Sequence, residues 1–199
     1  MINLYNTCSL EAIKALPNKC YDLAIVDPPY GIGNFVMQSN ETNQKPVNWN
    51  DSIPTKEYFS ELKRVSKNQI IWGCNYYPDM IGGRIIWYKH VRHPNMSKCE
   101  IAFCSMHNKV EYIDIIWQNL NRKELVIHPC QKPKSLYIWL LENYASRGDK
   151  ILDTHLGSGS IALACHDLGF SLDAYEIDAE YYEAAKRRLL DYQKQLKLF

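Results

Sequence analysis

The chain has 199 residues, 46% hydrophobic and 23% charged, with a formal net charge of +1. That size suits one domain with a real core, and the composition is that of an ordinary globular protein. No run approaches the roughly 18 uninterrupted apolar residues of a membrane span, and Met1-Ile2-Asn3-Leu4-Tyr5-Asn6 has neither the basic nor the apolar region of a signal peptide, so the expectation is a cytoplasmic protein with no membrane partner.

In chain order, Ile2–Asn6 reads as a short edge strand. Ser9–Leu16 has helical spacing in Leu10, Ile13 and Leu16 and stops at Pro17. Tyr21–Val26 is a short apolar run, as in a strand buried on both faces of a parallel sheet. It leads directly into Asp27-Pro28-Pro29-Tyr30, where two prolines end it. Gly31–Asp51 is polar and aperiodic and predicts a long functional loop, with Trp49 either wedging into DNA or anchoring the loop. Thr55–Ser66 predicts a helix and Gln69–Cys74 a second buried strand. Gly83–Tyr88, Cys99–Ser105 and Val110–Trp117 predict antiparallel strands joined by polar turns. Ser135–Ala145 predicts a helix, Lys150–Asp153 a strand, and Gly157–Leu168 a glycine-opened helix. Ser171–Ile177 is the last strand and Ala179–Gln195 the last helix. Strands alternating with helices mean an α/β sheet covered on both faces.

The seven cysteines contain no Cys-x-x-Cys pair, and the six histidines do not stand at zinc-ligand spacings. They read as reduced, mostly buried thiols, with no metal expected.

Two segments carry chemistry. The first is Gly157-Ser158-Gly159-Ser160 between a strand and a helix, with Glu176 and Asp178 closing the next strand. Glycines let a ligand approach the backbone, helix amides face it, and an acid after the next strand can accept ribose hydroxyls. This predicts an adenosine-bearing cofactor, and the pattern also fits the dinucleotide fingerprint. Asp153, just before the loop, can hold an ammonium group. The methionine part of S-adenosylmethionine needs that; nicotinamide cofactors do not.

The second is Asp27-Pro28-Pro29-Tyr30. The amino group of a nucleic-acid base is a poor nucleophile because its lone pair is delocalised into the ring. Two acceptors on its two hydrogens pull the nitrogen towards sp³ and aim the lone pair outward. The Asp27 carboxylate and Pro28 carbonyl can supply them, and Tyr30 can stack on a base flipped out of the duplex.

These motifs resemble the beta-class, circularly permuted DNA amino-methyltransferases, including small phage and prophage members. Tyr21–Gly31 is similar to the catalytic motif, and His128-Pro129-Cys130-Gln131-Lys132-Pro133 to the segment entering the cofactor-lining helix. Asp153–Ser160 with Tyr175–Asp178 is similar to the cofactor loop and its ribose-binding acid. The resemblance implies a Rossmann-like, mostly parallel seven-stranded sheet with helices on both faces, in one catalytic domain over residues 1–199. It implies base flipping and direct in-line transfer of methyl from S-adenosylmethionine to N6 of adenine in DNA. Asp27, Pro28, Pro29 and Tyr30 would be catalytic. Asp27, Gln131, Lys132, Asp153, Gly157, Ser158, Gly159, Ser160, Glu176 and Asp178 would surround the cofactor. Asn6-Thr7-Cys8 stands where many relatives place an acid near the cofactor adenine, and no large target-recognition insertion precedes His128.

The same acceptors would serve N4 of cytosine, although aspartate in first place is commoner in the adenine enzymes. An RNA or glutamine-amide methyltransferase, a catalytically silent DNA-binding subunit and a nicotinamide oxidoreductase complete the alternatives. Lys89-His90-Val91-Arg92-His93 with Lys98, and Asn121-Arg122-Lys123, could meet phosphates or be solvated loop charge. Leu196, Leu198 and Phe199 could form a homodimer contact or a frayed tail.

Overall fold

The computed structural model describes residues 1–33, 50–91, 94, 96–117 and 126–195. Trp49, Arg92, His93, Asn121-Arg122-Lys123, Leu196, Leu198 and Phe199 lie outside them. The described residues form β1 (Ile2–Asn6), α1 (Ser9–Lys14), β2 (Tyr21–Val26), α2 (Lys56–Val65), β3 (Ser66–Trp72), β4 (Gly83–Tyr88), β5 (Cys99–Cys104) and β6 (Val110–Asp114). There follow α3 (Lys134–Tyr144), β7 (Lys150–Asp153), α4 (Ser160–Leu168), β8 (Ser171–Glu176) and α5 (Ala179–Gln195).

One sheet runs β1-β8-β7-β2-β3-β5-β4-β6. β1 through β3 in that order are all parallel, whereas β5 is antiparallel to both β3 and β4. The side-chain period of two splits β2 between two cores. Leu23 and Ile25 join Ile70, Trp72, Leu136 and Leu140 under α3, α4 and α5. Ala24 and Val26 join Leu62, Val65 and Ile71 under α1 and α2. α2 begins where the Thr55 hydroxyl accepts from the Tyr58 amide at 3.2 Å, a side-chain N-cap.

Three expectations need correction. The sheet has eight strands, not seven. The eighth, β6, pairs with β4 in parallel, not antiparallel, because the turn after β5 carries the chain past β4 to its open edge. The run expected as Gln69–Cys74 starts earlier, at Ser66, and ends at Trp72, where Gly73 turns the backbone at φ +73° into a short 3-10 turn. Among the described residues no helix is long and apolar enough to cross a membrane.

From β7 the chain winds through α4 to β8 on one side, and from β2 through α2 to β3 on the other. β7 and β2 are neighbours, so their carboxyl ends flank the switch point where doubly wound sheets bind ligands. Asp153 ends β7, and Asp27 follows β2.

Candidate active site

Asp27 lies in the wall of an open cleft of about 1250 Å³ beyond the strand ends. Pro28 and Pro29 have no amide hydrogen, so the chain must leave the sheet there and expose the aspartate. One Asp27 oxygen, Oδ1, accepts from the Tyr30 hydroxyl at 2.6 Å, and Oδ2 accepts from the Lys132 ammonium. Lys132 is 3.0 Å from Glu100 Oε2, and Lys89 donates to Glu100 Oε1 at 2.8 Å.

Two carboxylates and two ammonium groups thus alternate as Asp27–Lys132–Glu100–Lys89, largely buried. Removing one partner from a buried pair typically costs about 3–5 kcal/mol, since it strands a charge. The electrostatics are mutual. Burial works against the Lys132 charge, but Asp27 and Glu100 outweigh it and hold the ammonium protonated. Burial would raise Glu100, yet Lys132 and Lys89 hold it down at about 2. Burial pushes Asp27 up, and the nearby Glu100 charge adds to that against the pull of Lys132.

The Tyr30 side of the cleft is tyrosine-rich. Tyr30 stacks on Tyr76, with ring centroids 5.1 Å apart and planes 14° apart. The Tyr77 hydroxyl donates to the Pro28 carbonyl at 2.7 Å. The Tyr30 amide donates to Asn50 Oδ1 at 2.8 Å, and Asn50 Nδ2 donates to the Gly33 carbonyl at 2.9 Å. Gly73 makes room for this packing: a Cβ there would fall 2.1 Å from Tyr30 Cε1, and its positive φ already disfavours a side chain.

Opposite stands the glycine loop. Gly157, at φ +51°, donates its amide to Glu176 Oε2 at 2.8 Å, while Glu176 Oε1 accepts from the Asp178 amide at 2.9 Å. Asp178 Oδ1 in turn accepts from the Glu180 and Tyr181 amides, capping α5. Gln131 Oε1 accepts from the Ile127 amide at 3.1 Å. Burial lowers His128 to about 4, helped by Lys132, so it is neutral near pH 7. Asp153 accepts the His155 amide at 3.0 Å, and burial pushes its carboxyl up to about 8.

Of the residues singled out from sequence, Asp27–Tyr30, Gln131, Lys132, Gly157, Ser158, Glu176 and Asp178 line the cleft. Asp153, Gly159 and Ser160 do not: they stand behind the loop. A Cβ on Gly159 would come within 3.1 Å of Ala185 Cβ, and the Ser160 hydroxyl takes a 3.0 Å bond from Arg188. These two residues dock the loop onto α5. Lys89 is also corrected: it is 7% exposed and bound to Glu100, not a solvated loop charge. Only three of the seven thiols are buried, Cys74, Cys104 and Cys165. Sequence alone did not single out Glu100, Asn50, Gly73 or Tyr77. The signal that exists is weak: a charge opening an otherwise apolar strand, Cys99–Cys104.

A smaller hollow of about 320 Å³ adjoins the cleft and shares Pro29, His155, Glu176 and Ile177 with it. Thr7, Cys8 and Tyr58 are among the other residues of its wall, so Thr7-Cys8 reaches the edge of the site.

An Asp-Pro-Pro-Tyr loop after β2 facing a glycine loop after β7, across a mostly parallel sheet with helices on both faces, is the Rossmann-like methyltransferase fold. The chain belongs to the N6/N4-type DNA methylase family, whose model matches residues 84–187. The type II methyltransferase M.HpaI of Haemophilus parainfluenzae is 26% identical over 232 residues, covering 91% of this chain and 72% of that one. The fold matches the crystal structure of the M1.HpyAVI–SAM complex with a TM-score of 0.64, at 22% identity over 95% of this chain and 100% of that one. It also matches the cytosine-N4-specific PvuII DNA methyltransferase with a TM-score of 0.65, at 12% identity over 98% and 92%.

Proposed function

We propose that this protein methylates the exocyclic N6 amine of adenine in DNA, with S-adenosylmethionine as methyl donor. The observation that carries the reading is the Asp27 carboxylate and Pro28 carbonyl on one wall of a cleft whose other wall is the Gly157–Glu176 loop. The cofactor fits the residues present. Glu176 lines the cleft at the loop with two oxygens suited to ribose hydroxyls. When bound, S-adenosylmethionine supplies an electrophilic methyl group on a sulfonium. Gly157, Ser158, Glu176, Asp178, Gln131 and Lys132 would surround it, with Asp153, Gly159 and Ser160 supporting the loop from behind.

The chain's own residues do the rest. Asp27 and the Pro28 carbonyl accept the two amino hydrogens and localise the nitrogen lone pair. Tyr30 stacks on the flipped base. After transfer the amine has one proton too many, and Asp27 is placed to take it. No covalent enzyme intermediate is needed, so the rate comes from positioning and electrostatics. We read residues 1–199 as one catalytic domain of the beta class, since the Asp27 motif precedes the cofactor loop in the chain. The type II relative supports a restriction-modification setting. N4 of cytosine is the second reading, favoured by the likeness to the PvuII enzyme.

The test is to incubate the protein with mixed-sequence DNA and methyl-labelled S-adenosylmethionine, then separate the nucleosides. Label is expected in N6-methyldeoxyadenosine; label in N4-methyldeoxycytidine would establish the second reading. Asp27→Ala should abolish labelling in protein that still folds, with a melt lowered by the stranded Lys132 charge. Transfer surviving that substitution would end the proposed mechanism.

A further inference from the structure

We propose that Glu100 is a positioning residue for methyl transfer, receiving the Lys132 ammonium when the target amino group takes its place on Asp27. This rests on the reading of Asp27 as acceptor of that amino group. Both Asp27 oxygens are engaged, Oδ1 by the Tyr30 hydroxyl and Oδ2 by Lys132. A carboxylate neutralised by an adjacent ammonium is a weak acceptor for an amino hydrogen. Lys132 must therefore leave Oδ2 for Asp27 to polarise the amine. In a buried site an ammonium can leave one carboxylate only if another stands ready.

Glu100 meets that need. Its Oε2 already lies 3.0 Å from the Lys132 nitrogen, so the shift is short. Its other oxygen is held by Lys89 at 2.8 Å, which leaves one oxygen for each lysine. Asp27, Glu100, Lys132 and Lys89 together carry no net charge, and moving Lys132 within the quartet keeps that balance. The rings of Trp72 and Tyr30 wall the ammonium at 5.4 and 5.9 Å, so a cation moving between the carboxylates stays over aromatic faces. Lys132 thus holds the place of the substrate amine, and Glu100 takes Lys132 when the amine arrives.

The experiment is single-turnover transfer to DNA at saturating labelled S-adenosylmethionine, with cofactor affinity measured separately. In Glu100→Gln the ammonium has Asp27 as its one carboxylate, so the transfer rate should fall by about 30-fold or more with cofactor affinity within about twofold, the mark of an interaction used on the way to the transition state. A wild-type rate in this variant overturns the proposal. The double variant Glu100→Gln/Lys132→Met removes the place-holder and restores charge balance, since Asp27 and Lys89 remain. It should run at least about tenfold faster than Glu100→Gln, a coupling opposite in sign to additive losses. A double variant slower than Glu100→Gln overturns the proposal, because Lys132 would then be needed by the base itself. Should Glu100→Gln fail to bind cofactor, the double variant carries the test alone: cofactor bound but no transfer overturns it. If Asp27→Ala is active, the reading of Asp27 fails; if Asp27→Ala is inactive and Glu100→Gln runs at the wild-type rate, only this inference fails.

Discussion

Burial keeps the Asp153 carboxyl protonated up to about pH 8, against an ordinary value of 3.8. The folded chain therefore holds a proton that the unfolded chain gives up across that window. This group's contribution to stability is fully present below the unfolded value and is lost as pH rises through about 8. Between about pH 6 and 8 the folded protein should therefore lose stability as pH rises, and Asp153→Asn should flatten that slope. Denaturant midpoints across this range read it; a slope unchanged in the variant would assign the proton to another group. That Asp27 and Glu176 line the cleft was legible in the sequence because each closes or follows a strand at a fixed offset, whereas Asp153, read the same way, stays outside it. Glu100 and Lys89 were not. They meet because Trp87 pairs with Glu100 across two antiparallel strands, and no local pattern announces that register. Lys89 looked solvated because its immediate neighbours are polar; its burial comes from the strand opposite.

At the scale of elements, β2 and β7 were legible to the residue, since a strand covered on both faces has an apolar centre and turn residues bound it. β6 was recognisable as a strand but not as the parallel partner of β4, because adjacency in sequence suggests a hairpin and the sheet edge overruled it. α5 shows what an element contributes to the site without lining it deeply. From its third turn Arg188 donates to the Ser158 carbonyl at 2.9 Å and to the Ser160 hydroxyl at 3.0 Å, clamping the glycine loop from behind. Those bonds hold the loop amides in place before any ligand arrives. Replacing Arg188 with Met keeps the aliphatic stem and deletes the clamp. The substitution should weaken S-adenosylmethionine binding by about tenfold, the equivalent of roughly one charge-assisted hydrogen bond, with little change in the transfer rate at saturation. Equilibrium binding and single-turnover rates separate the two, and an unchanged affinity would show that the loop holds its shape unaided.

Across the whole molecule, the cleft is built from both halves of one sheet. Asp27 follows β2, Gly73 follows β3 and Glu100 lies on β5, while the glycine loop and Glu176 belong to β7 and β8, and β2 pairs directly with β7. Nothing in that sheet separates a binding unit from a catalytic one, although the Asp27 motif and the glycine loop are far apart in the chain. Residues 115–133 join β6 to α3. A ligand gripping the glycine loop should then stabilise the entire fold as one cooperative unit. At S-adenosylmethionine concentrations about 100 times Kd the gain is about 2.7 kcal/mol, which for a domain of this size raises Tm by about 5–10 °C. Differential scanning calorimetry should show a single transition with and without cofactor, shifting whole. A transition that splits, with only one part moving, would mean that the two halves fold separately and that the single-domain reading is wrong.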